Sequence, residues 1–270
     1  MSETPSADEL LAVARTDEQR RFATAAVAFL SGQVAPRTPQ DAAWGVGDEG
    51  LTLFHETSDE QERAEADAAR QWQKLRWQAG FGWITGPVEF GGRGLSADYE
   101  ALYRRIESAF DIPDMSPLRI GIGTVGPAIL GSGTADQVAD YVVPIYRGEI
   151  VACQLFSEPA AGSDLAGVRT RATEVGGGWE ITGQKVWTSN ASFADIGLAL
   201  VRTDAQAPKH KGLTMMVVPM TADGVTVRPL RQMTGGASFS EVFLDQVVVG
   251  HRCVVGDVGG GWKMATRALS

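Results

Sequence analysis

Between Thr16 and Arg147 the apolar residues recur every three or four positions, as in Phe22, Ala26, Phe29 and Leu30, or Trp72, Leu75 and Ala79. That spacing lines one face of a 3.6-residue repeat and predicts helices. Ser58 followed by Glu60, Gln61 and Glu62 marks a helix start, and Gly80 a stop, because glycine reaches the left-handed backbone that closes a helix. A further start lies in LSADYEALYRRIESAF, where Ser96 can cap and Asp98 and Glu100 set negative charge against the first N–H groups. Between these helices GFGWITGPVEFGGRGLS holds too much Gly and Pro for a helix or a long strand and reads as a structured loop.

From Ile150 onward the period becomes two. VACQLFSE, RTRATEV, WEITGQKVW, ADIGLALVRT, GLTMMVVPM, GVTVRPL and SEVFLDQVVV are short β-branched or aromatic runs split by Gly, Asp, Asn and Pro, the signature of an antiparallel barrel or sandwich. Gly176, Gly177 and Gly178 mark a hairpin. Gly259, Gly260 and Gly261 then precede WKMATRALS, the start of a helix too short to stand without tertiary support. The predicted fold is therefore α+β: a frayed tail over 1–16, a helical domain over 17–149, an antiparallel β-barrel or sandwich over 150–258, and the threshold of a further helical domain at 259–270.

Composition narrows the function classes. The 270 residues are 44% hydrophobic and 21% charged, ordinary for a globular chain large enough for a sizeable core. A formal charge of -9 argues against nucleic acid or anionic lipid as partner, since both need a basic field. No stretch is long and apolar enough to span a bilayer, and MSETPSADELLAVARTDEQ has no basic segment leading into an apolar one, which makes the cytoplasm the expected compartment. Cys153 and Cys253 sit in separate apolar runs, and His55, His210 and His251 are scattered, so neither a disulfide framework nor a metal spacing is indicated.

Three motifs bear on chemistry. Gly121 to Gly126 fits G-x-G-x-x-G, but no strand precedes it and Pro127 follows at once, so close helix packing is expected there rather than a dinucleotide fold. CQLFSEPAAGSDL runs from Cys153 to Leu165; Pro159 ends strand pairing, while Ala160, Ala161 and Gly162 keep bulk low enough for a ligand to approach the backbone. Its hydroxyls, Ser157 and Ser163, both donate and accept, which suits the polar edge of a heterocycle as well as it suits an ordinary turn. GQKVWTSN, from Gly183 to Asn190, sets Trp187 immediately before Thr188, Ser189 and Asn190 at a strand end.

These two stretches, in this order, resemble the acyl-CoA dehydrogenase family of flavoproteins, with its aromatic-x-x-Thr/Ser-Glu-Pro-x-Ala-Gly-Ser-Asp loop and later Gly-x-Lys-x-Trp-x-Thr/Ser-Asn strand end. WQKLRWQAGFGWITGPVEFGGRGLS, GSGTADQVADYVVPIYRGE, PKHKGLTMMVVPM, RPLRQMTGGASFSEVFLDQVVV and GDVGGGWKMA are similar to further family blocks in the same order. The resemblance implies FAD along Gln154, Leu155, Phe156, Ser157, Gly162 and Ser163, with Ser157 on the pyrimidine side of the isoalloxazine and Ser163 reaching the acyl-CoA substrate. It further implies that Trp187 packs by the flavin and that Thr188 and Ser189 border it, Ser189 near the hydride-accepting N5. This chain departs from the family pattern at Gln154, where an aromatic residue is usual, at Ala160, where glycine is usual, and at Ser157 and Ser189, where threonine is commoner.

The implied reaction is α,β-desaturation of an acyl thioester. A carboxylate takes the α-proton while the β-hydrogen leaves as hydride, and fixed donors stabilise the enolate. In the family the base is a glutamate of a third, helical domain, so no catalytic residue is assigned within this chain; the family pattern gives Glu158, which follows a flavin-contact position, no base role, and Asp164 is read as capping or bracing the loop. Arg169, Arg171 and Lys185 are the cations available for the phosphates of FAD and CoA. Partners implied are an electron acceptor such as an electron-transfer flavoprotein and further subunits, in a homo- or hetero-oligomer. Two other readings stay open: a flavin oxidase or monooxygenase on the same scaffold, and a non-catalytic subunit.

Overall fold

The computed structural model describes residues 14–37, 59–230 and 239–269. Most of the expected tail, the helix start at Ser58, His55 and residues 231–238 of one family-like block lie outside the described residues. Two compact units emerge: residues 14–37 and 71–114 form one, residues 59–70, 115–230 and 239–269 the other.

In the first unit, helix α1 (Asp17–Gln33) opens on Thr16, whose hydroxyl accepts the Gln19 N–H at 3.1 Å, and buries Phe22, Ala23, Ala26 and Leu30 as the period predicts. Helix α2 (Asp59–Gln78), of which residues 71–78 belong to this unit, stops before Gly80, which takes φ 81°. Helix α3 (Ala97–Glu107) carries Asp98 and Glu100 in its first turn, whereas the Ser96 side chain makes no capping bond, so its start rests on the acids' charge. Aromatic rings fill the core: Phe22 meets Phe81 at 5.5 Å, Phe29 meets Trp72 at 5.8 Å, and Phe81 stacks on Tyr103 at 5.0 Å. The buried Glu107 carboxylate accepts the Trp72 indole N–H and the Tyr103 hydroxyl, each at 3.1 Å, with Arg76 Nε at 3.5 Å, so its charge is compensated. The Gly- and Pro-rich loop is ordered as expected; Gly94 N–H reaches Gly86 O at 2.8 Å, and a Cβ on Gly92 would fall 2.2 Å from the Gly86 carbonyl carbon.

Besides residues 59–70 of α2, the helical part of the second unit holds α4 (Ser116–Ile120), a π-turn at Gly121–Val125 and α5 (Gly126–Ser132). This is the G-x-G-x-x-G stretch, and it is helical throughout. Gly121 lies against Ile145 and Ala152, where a Cβ would come to 3.3 and 3.6 Å, and Gly126 against the Gly121 carbonyl and Tyr146. The glycines serve close packing, as the missing strand indicated. Helices α6 (Ala135–Gln137) and α7 (Val143–Tyr146) follow, joined by a second π-turn. Thr134 accepts the Gln137 N–H at 3.2 Å while Gln137 Oε1 accepts the Thr134 N–H at 3.0 Å, and the same Gln137 donates to Arg252 O and Val254 O at 2.7 Å each. Thr134→Ala is therefore expected to cost about 1 kcal/mol, read as a lower urea midpoint with unchanged slope.

The strands are β1 (Ala152–Leu155), β2 (Arg171–Val175), β3 (Gly178–Ser189), β4 (Ile196–Arg202), β5 (Leu213–Pro219), β6 (Val225–Leu230), β7 (Phe239–Gly250) and β8 (Val254–Val255). They join in the order β6-β7-β3-β2-β4-β5-β8, with β1 on β4. The α+β class is as expected, and β2 and β3 make the hairpin across Gly176 and Gly177, the latter at φ 91°. Of the barrel and sandwich alternatives, the barrel is not closed, since the strands form an open path, and the expected antiparallel sheet is corrected to a mixed one, since β1 runs parallel to β4. A parallel pair needs a long crossover, and the β2–β3 hairpin lies within that crossover. Helix α8 (Gly261–Ala268) ends the described chain, with Met264 and Ala265 buried.

Candidate functional site

The chain leaves β1 through Phe156 and half-buried Ser157 and turns at once. Glu158 and Ala161 exchange N–H···O bonds at 3.0 Å each, which leaves Pro159 and Ala160 on the outside and sends the Glu158 side chain inward. There its carboxylate accepts the N–H groups of Arg169 at 2.6 Å and Thr170 at 2.8 Å, and the Lys185 ammonium at 2.9 Å. Lys185 is 0% exposed and donates also to Phe156 O at 3.1 Å and Leu200 O at 2.7 Å, so its three protons are all placed. Burial pushes the Glu158 carboxyl up, but Lys185 and the surrounding N–H donors outweigh it and hold the group below its ordinary value. Burial pulls Lys185 down to about 8 against the pull of Glu158. Further along the loop, Arg202 donates to Val168 O at 3.0 Å and Ala166 O at 2.7 Å, and Lys209 holds Asp164 at 2.6 Å.

The second motif arrives on β3, where the register against β7 slips. Lys185 faces Val242 but Thr188 faces Ser240, so Val186 and Trp187 together oppose one residue of β7, a β-bulge. Trp187 takes φ 58°, an unusual backbone for a bulky side chain, and its indole stands 61% exposed with its edge contact to Phe239 at 5.9 Å. The Val186 N–H turns to Ser157 O at 2.9 Å. That bond, with those of Lys185 to Phe156 O and Glu158, seats the two motifs on one rim. Beyond it, Asn190 takes φ 65° and donates from Nδ2 to Pro117 O at 3.0 Å, tying the strand end to α4.

The sequence-predicted residues divide by exposure. Ser163 and Gly162 lie on the open side of the loop, and a Cβ on Gly162 would meet nothing within 4 Å. Ser157 and Ser189 are half-buried, Ser189 opposite Phe239, and Thr188 is 1% exposed with a hydroxyl that finds no protein partner. Gln154 is half-buried in β1, whereas Leu155 belongs to the β core against Gly197 and Phe156 is buried with its carbonyl engaged by Lys185. Arg169 and Arg171 are exposed. Lys185 is corrected as a phosphate cation, because its charge is enclosed and spent on Glu158 and two carbonyls. Its charge alone gave no sign of this, because the opposite charge that burial requires comes from the loop after β1.

A groove of about 290 Å³ runs between the π-turn with α5 and α8, lined by Gly123, Pro127, Ala128, Gly131, Met264 and Arg267 among others. A Cβ on Gly123 would meet nothing within 4 Å. Among the described residues no group of His, Cys, Asp and Glu could hold a metal ion, and no helix is long and apolar enough to cross a membrane.

Residues 153–247 match the family model "Acyl-CoA dehydrogenase, middle domain". The chain is 47% identical over 194 residues to acyl-CoA dehydrogenase FadE34 of Mycobacterium tuberculosis, covering 72% of this chain and 26% of that protein. It is 38% identical over 201 residues to acyl-CoA dehydrogenase IpdE1 of the same organism, covering 74% of this chain and 52% of that one. Among solved structures, the Tcur3481–Tcur3483 steroid ACAD G363A variant superposes with a TM-score of 0.66 at 32% identity, covering 80% of this chain and 57% of that chain. The ChsE4–ChsE5 complex from Mycobacterium tuberculosis does so with a TM-score of 0.70 at 26% identity, covering 95% and 60%. The chain thus spans about a quarter to a half of the length of these curated relatives. From two ordered motifs on one rim and relatives that agree in kind, the chain belongs to the acyl-CoA dehydrogenase family.

Proposed function

We propose that this chain supplies the flavin-facing rim of an FAD-dependent acyl-CoA dehydrogenase that desaturates an acyl thioester between its α and β carbons. The observation that carries the reading is the Val186 N–H···O=C Ser157 bond at 2.9 Å, which joins the two family-like motifs. The residues fit a flat group with a polar edge: an exposed indole at Trp187, open space at Gly162, and a buried Thr188 hydroxyl without a protein partner. On this reading Gln154, Ser157, Gly162, Ser163, Trp187, Thr188 and Ser189 border FAD, with Leu155 and Phe156 contributing main chain. Bound FAD would supply the hydride acceptor. Ser157 and Ser189 orient its polar edge through hydroxyls that donate or accept, Trp187 covers it from water, and Ser163 binds the acyl-CoA.

Neither carboxylate of the loop is assigned as the base. Glu158 is enclosed with Lys185, and Asp164 is held by Lys209. The base is therefore assigned outside these residues, and a partner subunit is a natural source, since the superposing steroid ACAD and ChsE4–ChsE5 are described as pairs. A bulky acyl group, such as one carried by a steroid, is the proposed occupant of the groove, where Gly123 and Gly131 add no side chains beside Pro127, Ala128 and Met264. An electron-transfer flavoprotein as acceptor and a cytoplasmic location complete the reading.

An absorption titration of the purified chain with FAD, then anaerobic addition of a steroid side-chain acyl-CoA, tests it. The expected result is a bound, shifted flavin spectrum that does not bleach rapidly until a subunit carrying a base is added. Rapid bleaching by the chain alone overturns the assignment of the base; failure to hold flavin overturns the flavin reading in favour of a non-catalytic subunit; fast reoxidation in air indicates an oxidase.

A further inference from the structure

We propose that the buried Lys185–Glu158 pair is the positioning element of this rim: it fixes the spacing between the Ser157 loop and the Trp187–Ser189 strand end, and through that spacing sets flavin affinity. The second half of the statement rests on the flavin reading above; the first does not.

Two enclosed charges are a costly way to fill a core, because apolar side chains of similar volume serve stability as well or better. What apolar side chains cannot do is hold several chain segments at once. Five hydrogen bonds converge on these two side chains, from or to Phe156 O, Leu200 O, Arg169 N, Thr170 N and one another. They gather the end of β1, the turn into β2, the middle of β3 and β4, four stretches otherwise linked through the sheet. Lys185 immediately precedes the bulge that exposes Trp187, and Glu158 immediately follows Ser157. The Val186 N–H···Ser157 O bond lies directly beside the pair, so its length depends on where the pair holds both chains. With exposures of 0% and 7%, neither residue is open to a ligand, and the role is positioning rather than catalysis.

The test separates packing from positioning. Lys185→Met keeps the stem volume and removes the donors, Glu158→Gln removes the opposite charge, and the double variant K185M/E158Q has no unpaired buried charge. In the full chain, the double variant is expected to melt within about 5 °C of wild type. Its Val186 amide is expected to exchange at least about ten-fold faster, and its Kd for FAD to rise about ten-fold. If Val186 protection and the FAD Kd both stay within about two-fold of wild type, the pair is mere packing and the proposal falls. Should the double variant not fold, Lys185→Arg, which keeps the charge but alters the donor geometry, is read by the same Val186 exchange and decides in the same sense. Should wild type bind no FAD, the flavin reading fails, while Val186 exchange in the variants still decides whether the pair holds the rim.

Discussion

Glu158→Ala is expected to lower the free energy of unfolding by about 3–5 kcal/mol, the range for removing one partner of a buried ion pair. Lys185 would be left enclosed without a counter-charge, and the N–H groups of Arg169 and Thr170 without an acceptor. Urea denaturation at neutral pH measures the loss; a change below about 1 kcal/mol would mean that water or another acceptor replaces the carboxylate. The pH dependence follows from the same pair. Glu158 lies below its ordinary 4.5 in the folded state, so its contribution is fully present above about that pH and is lost as pH falls through the folded value. Wild type should therefore show a steeper acid limb of stability than the Ala variant. On the alkaline side, Lys185 sits at about 8 against an ordinary 10.5, so between those values the unfolded chain binds the extra proton and this group makes stability rise with pH.

Gly183→Val should be nearly as damaging, and for a steric reason. A Cβ at Gly183 would lie 2.4 Å from the Thr170 hydroxyl and 2.7 Å from the Thr170 Cα, so the backbone of β3 or of the turn into β2 must move. A cost of about 3 kcal/mol is expected from such overpacking. Because Thr170 is one of the two residues that Glu158 holds, the displacement should reach the rim and weaken flavin binding as well. Gly176→Ala is the control, since a Cβ there meets nothing within 4 Å; its effect should stay within about 0.5 kcal/mol. Equal damage from both substitutions would point to a general cost of adding a side chain at these glycines rather than to the contact with Thr170.

The change of period near Ile150 divided helices from strands without any coordinates, and the structure follows it from Phe22 and Leu30 on α1 to the hairpin at Gly177. The helical nature of Gly121 to Gly126 was likewise legible from what precedes and follows it. The α+β class was legible, but not that the barrel alternative stays open or that β1 runs parallel to β4, because the direction and order of strands depend on connections that residue alternation does not encode. Within the candidate site, Ser157, Ser163, Trp187 and Ser189 could be singled out by residue type and order. The fate of Lys185 could not be read from its charge alone, since its partner lies in another strand's exit loop.

The amino-acid sequence by itself determined the local matters: which stretches coil, which extend, where glycine and proline end them, and which hydroxyls and rings stand at strand ends. These follow from a residue and its near neighbours. Only the tertiary structure decided that Val186 and Trp187 bulge from β3, that the indole faces outward, and that Lys185 turns inward to Glu158. The reason is that a bulge is a mismatch of register with β7, and a buried charge is tolerable only where a distant segment delivers its opposite. Both are properties of two pieces of chain meeting, and neither is written in either piece alone.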